Sequence, residues 1–185
     1  SYKATKFDLS SLSGRTLVNQ LGRLGRFKQG ISNGFFGSVS TSITDTAGIK
    51  SLKVELTSGT SGSGGPVLVL PVPSGEYFVA IGMVRVDSAS SMSAGVAIYG
   101  SNGNLVTDFS TFQPSAVRFT RATTGGDTRV GMLVTGSVGS YALMRDLRVY
   151  KISQAEYDAL ATMGPQAAAA KYPYVDDMKP VRNPY

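Results

Sequence analysis

A chain of 185 residues fits one domain with appended terminal segments, and 42% hydrophobic against 16% charged residues supplies enough apolar surface for a core. With no cysteine and no histidine, disulfides, Cys/His metal sites, thiol nucleophiles and imidazole-based triads are excluded. The formal charge of +6 gathers at the front, where Lys3, Lys6, Arg15, Arg23, Arg26 and Lys28 are set against Asp8 alone in residues 1–30.

Residues 1–34 read as a basic N-terminal arm. Such an arm can meet phosphates, anionic lipid or an acidic protein neighbour. Aromatics are not interleaved with its basic residues, and no helix-turn-helix or RRM signature follows, so docking on protein is expected and direct nucleic-acid binding is not. Its start has no apolar run like that of a signal peptide. The most apolar stretch, Tyr77–Val84, is far short of the ~20 residues a helix needs to cross a bilayer, so no membrane contact is expected.

From residue 35 to 152 the pattern is short strand-forming runs between Gly, Ser, Asn and Pro, which predicts a jelly-roll β-sandwich of about eight antiparallel strands. Phe35–Thr41 is the first. Leu52, Val54 and Leu56 alternate with Lys53 and Glu55, the period of a half-buried strand. Gly59–Gly65 reads as a flexible loop. Val67–Leu70 and Tyr77–Val86 read as buried strands on either side of a proline-containing turn. Asn102-Gly103 between two apolar runs predicts a tight hairpin turn. Further strands fall around Val117–Phe119, Val130–Val134 and Tyr141–Ile152.

Residues 153–185 form a third segment. Ser153-Gln154-Ala155-Glu156 is a capping box at a helix start, and Pro165 suits the first turn of a second short helix. Three prolines after Lys171 predict an extended strap.

No reaction is spelled out. Gly30-Ile31-Ser32-Asn33-Gly34 matches the nucleophile-elbow pattern, but without histidine Ser32 has no usual base. The acids are scattered, and Asp176-Asp177 lacks the graded spacing of a calcium loop. No cofactor, metal or catalytic residue is therefore expected. Tyr99, Asn102, Asn104, Asp108, Phe109 and Phe112 form the best local cluster of aromatic faces with hydrogen-bonding groups, the combination that suits a sugar. The same rings also fit a sandwich interior, where aromatics dominate.

Two stretches carry a resemblance. Gly14-Arg15-Thr16-Leu17-Val18-Asn19-Gln20-Leu21-Gly22-Arg23 resembles the opening of phage and prophage tail or fibre-associated proteins. Arg148–Ser153, Glu156–Leu160, Ala170–Asp176 and Asn183-Pro184-Tyr185 resemble their ends. Leu24-Gly25-Arg26-Phe27-Lys28 departs from that pattern, with apolar and basic groups where an acid is common. The resemblance implies a carbohydrate-binding-module-like β-sandwich between the motifs and a non-enzymatic role as a virion component, located on the particle. On that basis other virion proteins are expected to meet Lys3, Lys6, Arg15, Arg23, Arg26, Lys28, Tyr172, Tyr174 and Tyr185. A homo-oligomer, with a trimer first, and contact with host-surface glycans are further expectations. A stand-alone carbohydrate-binding module is the alternative reading, and a glycan hydrolase the third.

Overall fold

The structure is a computed structural model and describes residues 17–27, 32–66, 69–87, 92–99, 101–121 and 126–175. Eleven strands are formed there: β1 Ser32–Phe36, β2 Val39–Thr46, β3 Ile49–Leu56, β4 Ser61–Pro66, β5 Val69–Leu70, β6 Tyr77–Val86, β7 Ser93–Ile98, β8 Ser101–Asn102, β9 Gln113–Thr120, β10 Thr128–Thr135 and β11 Tyr141–Ile152. They make two antiparallel sheets. The first runs β1-β4-β10-β7-β8 with β5 also on β10, and the second runs β2-β3-β11-β6-β9. Stacked face to face, they form a jelly-roll β-sandwich. Alternation along each strand sends Val96, Ile98, Met132 and Val134 of the first sheet against Val54, Val84, Phe119, Met144 and Val149 of the second in one buried cluster. Each such side chain is worth ~1.5–3 kcal/mol in burial. Phe78 and Phe119 stack within it at 5.4 Å.

Several segments differ from the sequence expectation for identifiable reasons. The Gly59–Gly65 stretch is not a loop: β4 lies in the middle of the first sheet between β1 and β10. Its glycines allow close approach, since a Cβ on Gly62 would stand 2.3 Å from Val39 Cγ1. The buried strand expected over residues 67–70 is only β5, with Val69 exposed; residues 67–68 lie outside the described ones. Asn102-Gly103 is not the hairpin turn. Ala97 pairs with Asn102 and Ile98 with Ser101, so Asn102 lies within the paired strands and not at the turn. Gly103 meets a packing need instead, because a Cβ there would stand 2.5 Å from the Ala116 carbonyl oxygen. Ser32 lies in β1, paired with Pro66 and followed by more strand, so the nucleophile-elbow context of strand, turn and helix is not formed.

The C-terminal segment forms as its caps predict. Helix α1, Gln154–Ala159, starts from a capping box: Ser153 Oγ accepts from the Glu156 N–H, and Glu156 Oε2 accepts from the Ser153 N–H at 2.8 Å. Helix α2, Pro165–Lys171, carries proline in its first turn, with Gly164 as its N-cap. Ala168 and Tyr172 pack on Val79, Ile81, Tyr150 and Ile152, so helices cover part of the second sheet's outer face. No described helix lies over the outer face of the first sheet, and that asymmetry places the site.

The two motifs that carry the resemblance meet. Strand β11 has a bulge between Arg145 and Arg148, with Asp146 at φ +52°, and its pairing with β3 ends at Met144. Beyond the bulge its open edge is closed by the chain front. Val149 donates to Asn19 Oδ1 at 3.1 Å, and Gln20 N–H donates to the Val149 carbonyl at 2.8 Å. A 3-10 helix, Gly22–Arg26, follows and ends at buried Phe27, whose left-handed conformation (φ +54°) closes it. The Arg26 guanidinium lies 4.7 Å from the Tyr174 ring centre, and the Tyr174 hydroxyl donates to the Gly22 carbonyl. The departure Arg26-Phe27 thus supplies a ring contact and a core side chain.

Candidate functional site

In the first sheet, Val130, Met132 and Val134 of β10 and Ala94, Val96 and Ile98 of β7 point into the core, so the alternate residues face outward. Strand pairing sets these outward residues in rows. Ser63, Leu133 and Gly95 make one. The next is Gly131, Ala97 and Asn102, with Gly65 against Gly131. In the third, Val69 pairs with Arg129, and Tyr99 follows Ile98 at the end of β7. The middle row has little side-chain bulk and is closed to solvent: Ala97 is 1% exposed, and a Cβ on Gly131 would stand 2.2 Å from the Gly64 carbonyl oxygen. Phe36, 58% exposed, and Tyr99, 65% exposed, stand beside it.

Two depressions share Tyr99. One of about 400 Å³ is lined by Phe36, Ser63, Ile98, Tyr99, Ser101, Asn102 and Leu133. The other, of about 320 Å³, is lined by Val69, Tyr99, Asp127, Thr128 and Arg129. The Tyr99 backbone is fixed, its N–H donating to Thr128 Oγ1 at 3.2 Å. Among the described residues the Tyr99 ring and hydroxyl, the Asn102 amide, the Asp127 carboxylate and the Arg129 guanidinium have no partner, so each is available to a ligand.

The remaining cluster residues lie elsewhere and are engaged. Val106 bridges to Ala94, four residues before Ile98, or ~13 Å along the strand from the Tyr99 end. Asn104 bonds β9 at both ends of its amide, donating to the Pro114 carbonyl at 3.1 Å and accepting from the Ala116 N–H at 2.9 Å. Asp108 accepts from the hydroxyls and N–H groups of Ser110 and Thr111, which hold its carboxyl well below the usual carboxylate range. It organises its own loop. Phe112 lies between two guanidinium groups, 5.3 Å from Arg85 and 4.2 Å from Arg145. Phe109 is exposed on the same loop. Of the six sugar-cluster residues the sheet therefore brings together Tyr99 and Asn102, and joins to them Phe36, Val69, Asp127 and Arg129, which sequence reasoning missed.

Of the expected assembly residues, Lys3, Lys6, Arg15, Lys28 and Tyr185 lie outside the described residues, as do Asp176 and Asp177, and Arg23 is described in its backbone only. Tyr172 is 1% exposed in this chain's own packing. Behind it Arg148 is buried without a carboxylate, donating to the Tyr172, Asp146 and Ala169 carbonyls, and burial lowers its pKa. The Tyr150 hydroxyl donates to the Pro173 carbonyl at 2.5 Å, and burial raises its pKa. Other described carboxylates serve local structure: Asp45 holds the Gly48 turn, Glu55 pairs with Lys53 and Glu76 with Lys151.

No protein-family model matches the chain, and no curated protein sequence matches it. Solved structures do. The CBM22-1 xylan-binding domain of Paenibacillus barcinonensis Xyn10C is similar with a TM-score of 0.51 at 11% identity, over 75% of this chain and 99% of that one. The CBM22-1–CBM22-2 tandem of the same protein gives 0.52 at 10% identity, over 75% of this chain and 46% of that one. A tailspike protein of bacteriophage CBA120 is similar at 0.45 and 12% identity, over 73% of this chain and 22% of that one. The likeness to the xylan-binding domains is one of fold.

Proposed function

We propose that this chain is a non-catalytic carbohydrate-binding β-sandwich that takes a glycan in the depression lined by Phe36, Tyr99 and Asn102 on its first sheet. The observation that carries this reading is Tyr99: a 65% exposed ring without a partner among the described residues, held by its backbone over a groove that also presents the free Asn102 amide. A ring face packs on pyranose C–H groups while an amide both donates to and accepts from hydroxyls, the apolar platform with few placed polar groups that small-ligand sites use. The shared fold of xylan-binding domains supports the reading. Affinity electrophoresis of the full chain in xylan and in β-1,4-galactan tests it. Retardation by one of the polysaccharides, lost in Tyr99→Ala and Asn102→Ala but kept in Phe109→Ala, is the expected result. Unretarded migration in both would defeat the proposal.

A second reading places the module on a phage particle, in a homo-oligomer, with the basic residues Lys3, Lys6, Arg15 and Lys28 against other virion proteins. One observation favours it: the opening and closing motifs that resemble tail proteins join each other through Asn19, Gly22 and Tyr174, so they act as one structural unit. Mass spectrometry of purified particles, with copy number, decides; copies in multiples of three support the reading, and absence from the particle removes it.

A further inference from the structure

Resting on the carbohydrate-binding reading above, we infer that the ligand is a chain of at least two sugar units, held in two subsites on either side of Tyr99, the second read by Asp127 and Arg129. Leu133 lines the depression on one side of Tyr99 and Arg129 the depression on the other. Both are on β10, four residues apart, which is ~13 Å at the rise of a strand. A single pyranose ring is too short to reach both.

The two depressions differ in chemistry. The first depression offers Ser101 and the Asn102 amide beside Phe36, groups that suit neutral hydroxyls. The second depression offers a carboxylate that only accepts and a guanidinium that only donates, both exposed and without partners among the described residues. Together they match adjacent hydroxyls of a sugar, each of which donates and accepts. Val69, 48% exposed and paired with Arg129 across the strands, supplies an apolar patch for the ring between them. Tyr99 is common to both subsites, so its ring is the pivot over which the chain passes.

Isothermal titration calorimetry of the full chain with xylo-, cello- and β-1,4-galacto-oligosaccharides of one to six units tests this. For the series that binds, affinity rises at least tenfold between one unit and three and then levels. Arg129→Ala and Asp127→Asn each remove most of that gain, and Tyr99→Ala weakens every length. Length-independent binding, or a gain untouched by Arg129→Ala and Asp127→Asn, overturns the second subsite and leaves the carbohydrate reading standing. Silence in all three series overturns both.

Discussion

Asn19 carries more of the fold than its size suggests. It is 2% exposed, its Oδ1 accepts from the Leu21 and Val149 N–H groups, and its Nδ2 donates to the Val175 carbonyl. Removing the acceptor leaves two N–H groups without their partner, at ~1–3 kcal/mol for each buried group. Asn19→Ala is expected to lower the unfolding free energy by about 2 kcal/mol or more, seen by far-UV circular dichroism as a lower urea midpoint at unchanged slope. The residue was unreadable in sequence because its partners stand 130 and 156 positions away. Tyr99 and Asn102 could be read because they are three residues apart, whereas Asp127 and Arg129 come from another strand and only pairing brings them in. Tyr150 sets a second test at this scale. Its pKa is raised in the folded chain by burial, so its hydroxyl favours folding fully below the ordinary tyrosine pKa of ~10, and that contribution is lost as pH rises through the folded value. Tyr150→Phe is expected to flatten the alkaline fall in stability, read from unfolding midpoints at pH 9, 10 and 11. An unchanged fall would locate the titration elsewhere, and Tyr141, raised through its hydrogen bond with Asp87, is the next group to replace.

At the scale of elements, legibility followed side-chain pattern. Strands β6 and β11 were readable because long apolar runs bounded by turn residues leave few alternatives, and α1 because its capping box is local. Strand β4 was hidden because Ser61-Gly62-Ser63-Gly64-Gly65 has no apolar alternation; its place depends on neighbours that need close backbone approach. The same principle relocated the β7–β8 hairpin. Asn-Gly suits a tight turn through positive φ, yet here Asn102 pairs with Ala97 and Gly103 lies against β9. Gly103→Ala would drive a methyl group to within 2.5 Å of the Ala116 carbonyl oxygen and 3.0 Å of Ser115 Oγ. Overpacking of this kind costs ~1–3 kcal/mol. Thermal unfolding should show that loss. Gly103→Ala with wild-type stability would mean that the contact yields freely.

For the whole molecule, the two outer faces divide the work. The second sheet is anchored by α1, α2 and the Asn19 clasp, while the first sheet leaves Phe36 and Tyr99 exposed beside a depression. Stability and binding therefore reside in separate residues, and the two can be perturbed independently. A ligand bound to the folded state alone adds ~2.7 kcal/mol at a hundredfold excess over Kd, and 1 kcal/mol moves Tm by ~2–4 °C in a domain of this size. The oligosaccharide that binds best in titration should raise the wild-type Tm by ~5–10 °C. Tyr99→Ala should keep the ligand-free Tm and lose that rise, because an exposed ring contributes little to folding. Asn19→Ala should behave in reverse, with a lower ligand-free Tm and a full rise on adding enough sugar to saturate the site. Differential scanning fluorimetry of the three proteins with and without sugar reads both quantities at once. If Tyr99→Ala melts as early as Asn19→Ala, or if Asn19→Ala loses the rise at saturating sugar, the open face and the clasped face are one cooperative site and the division is wrong.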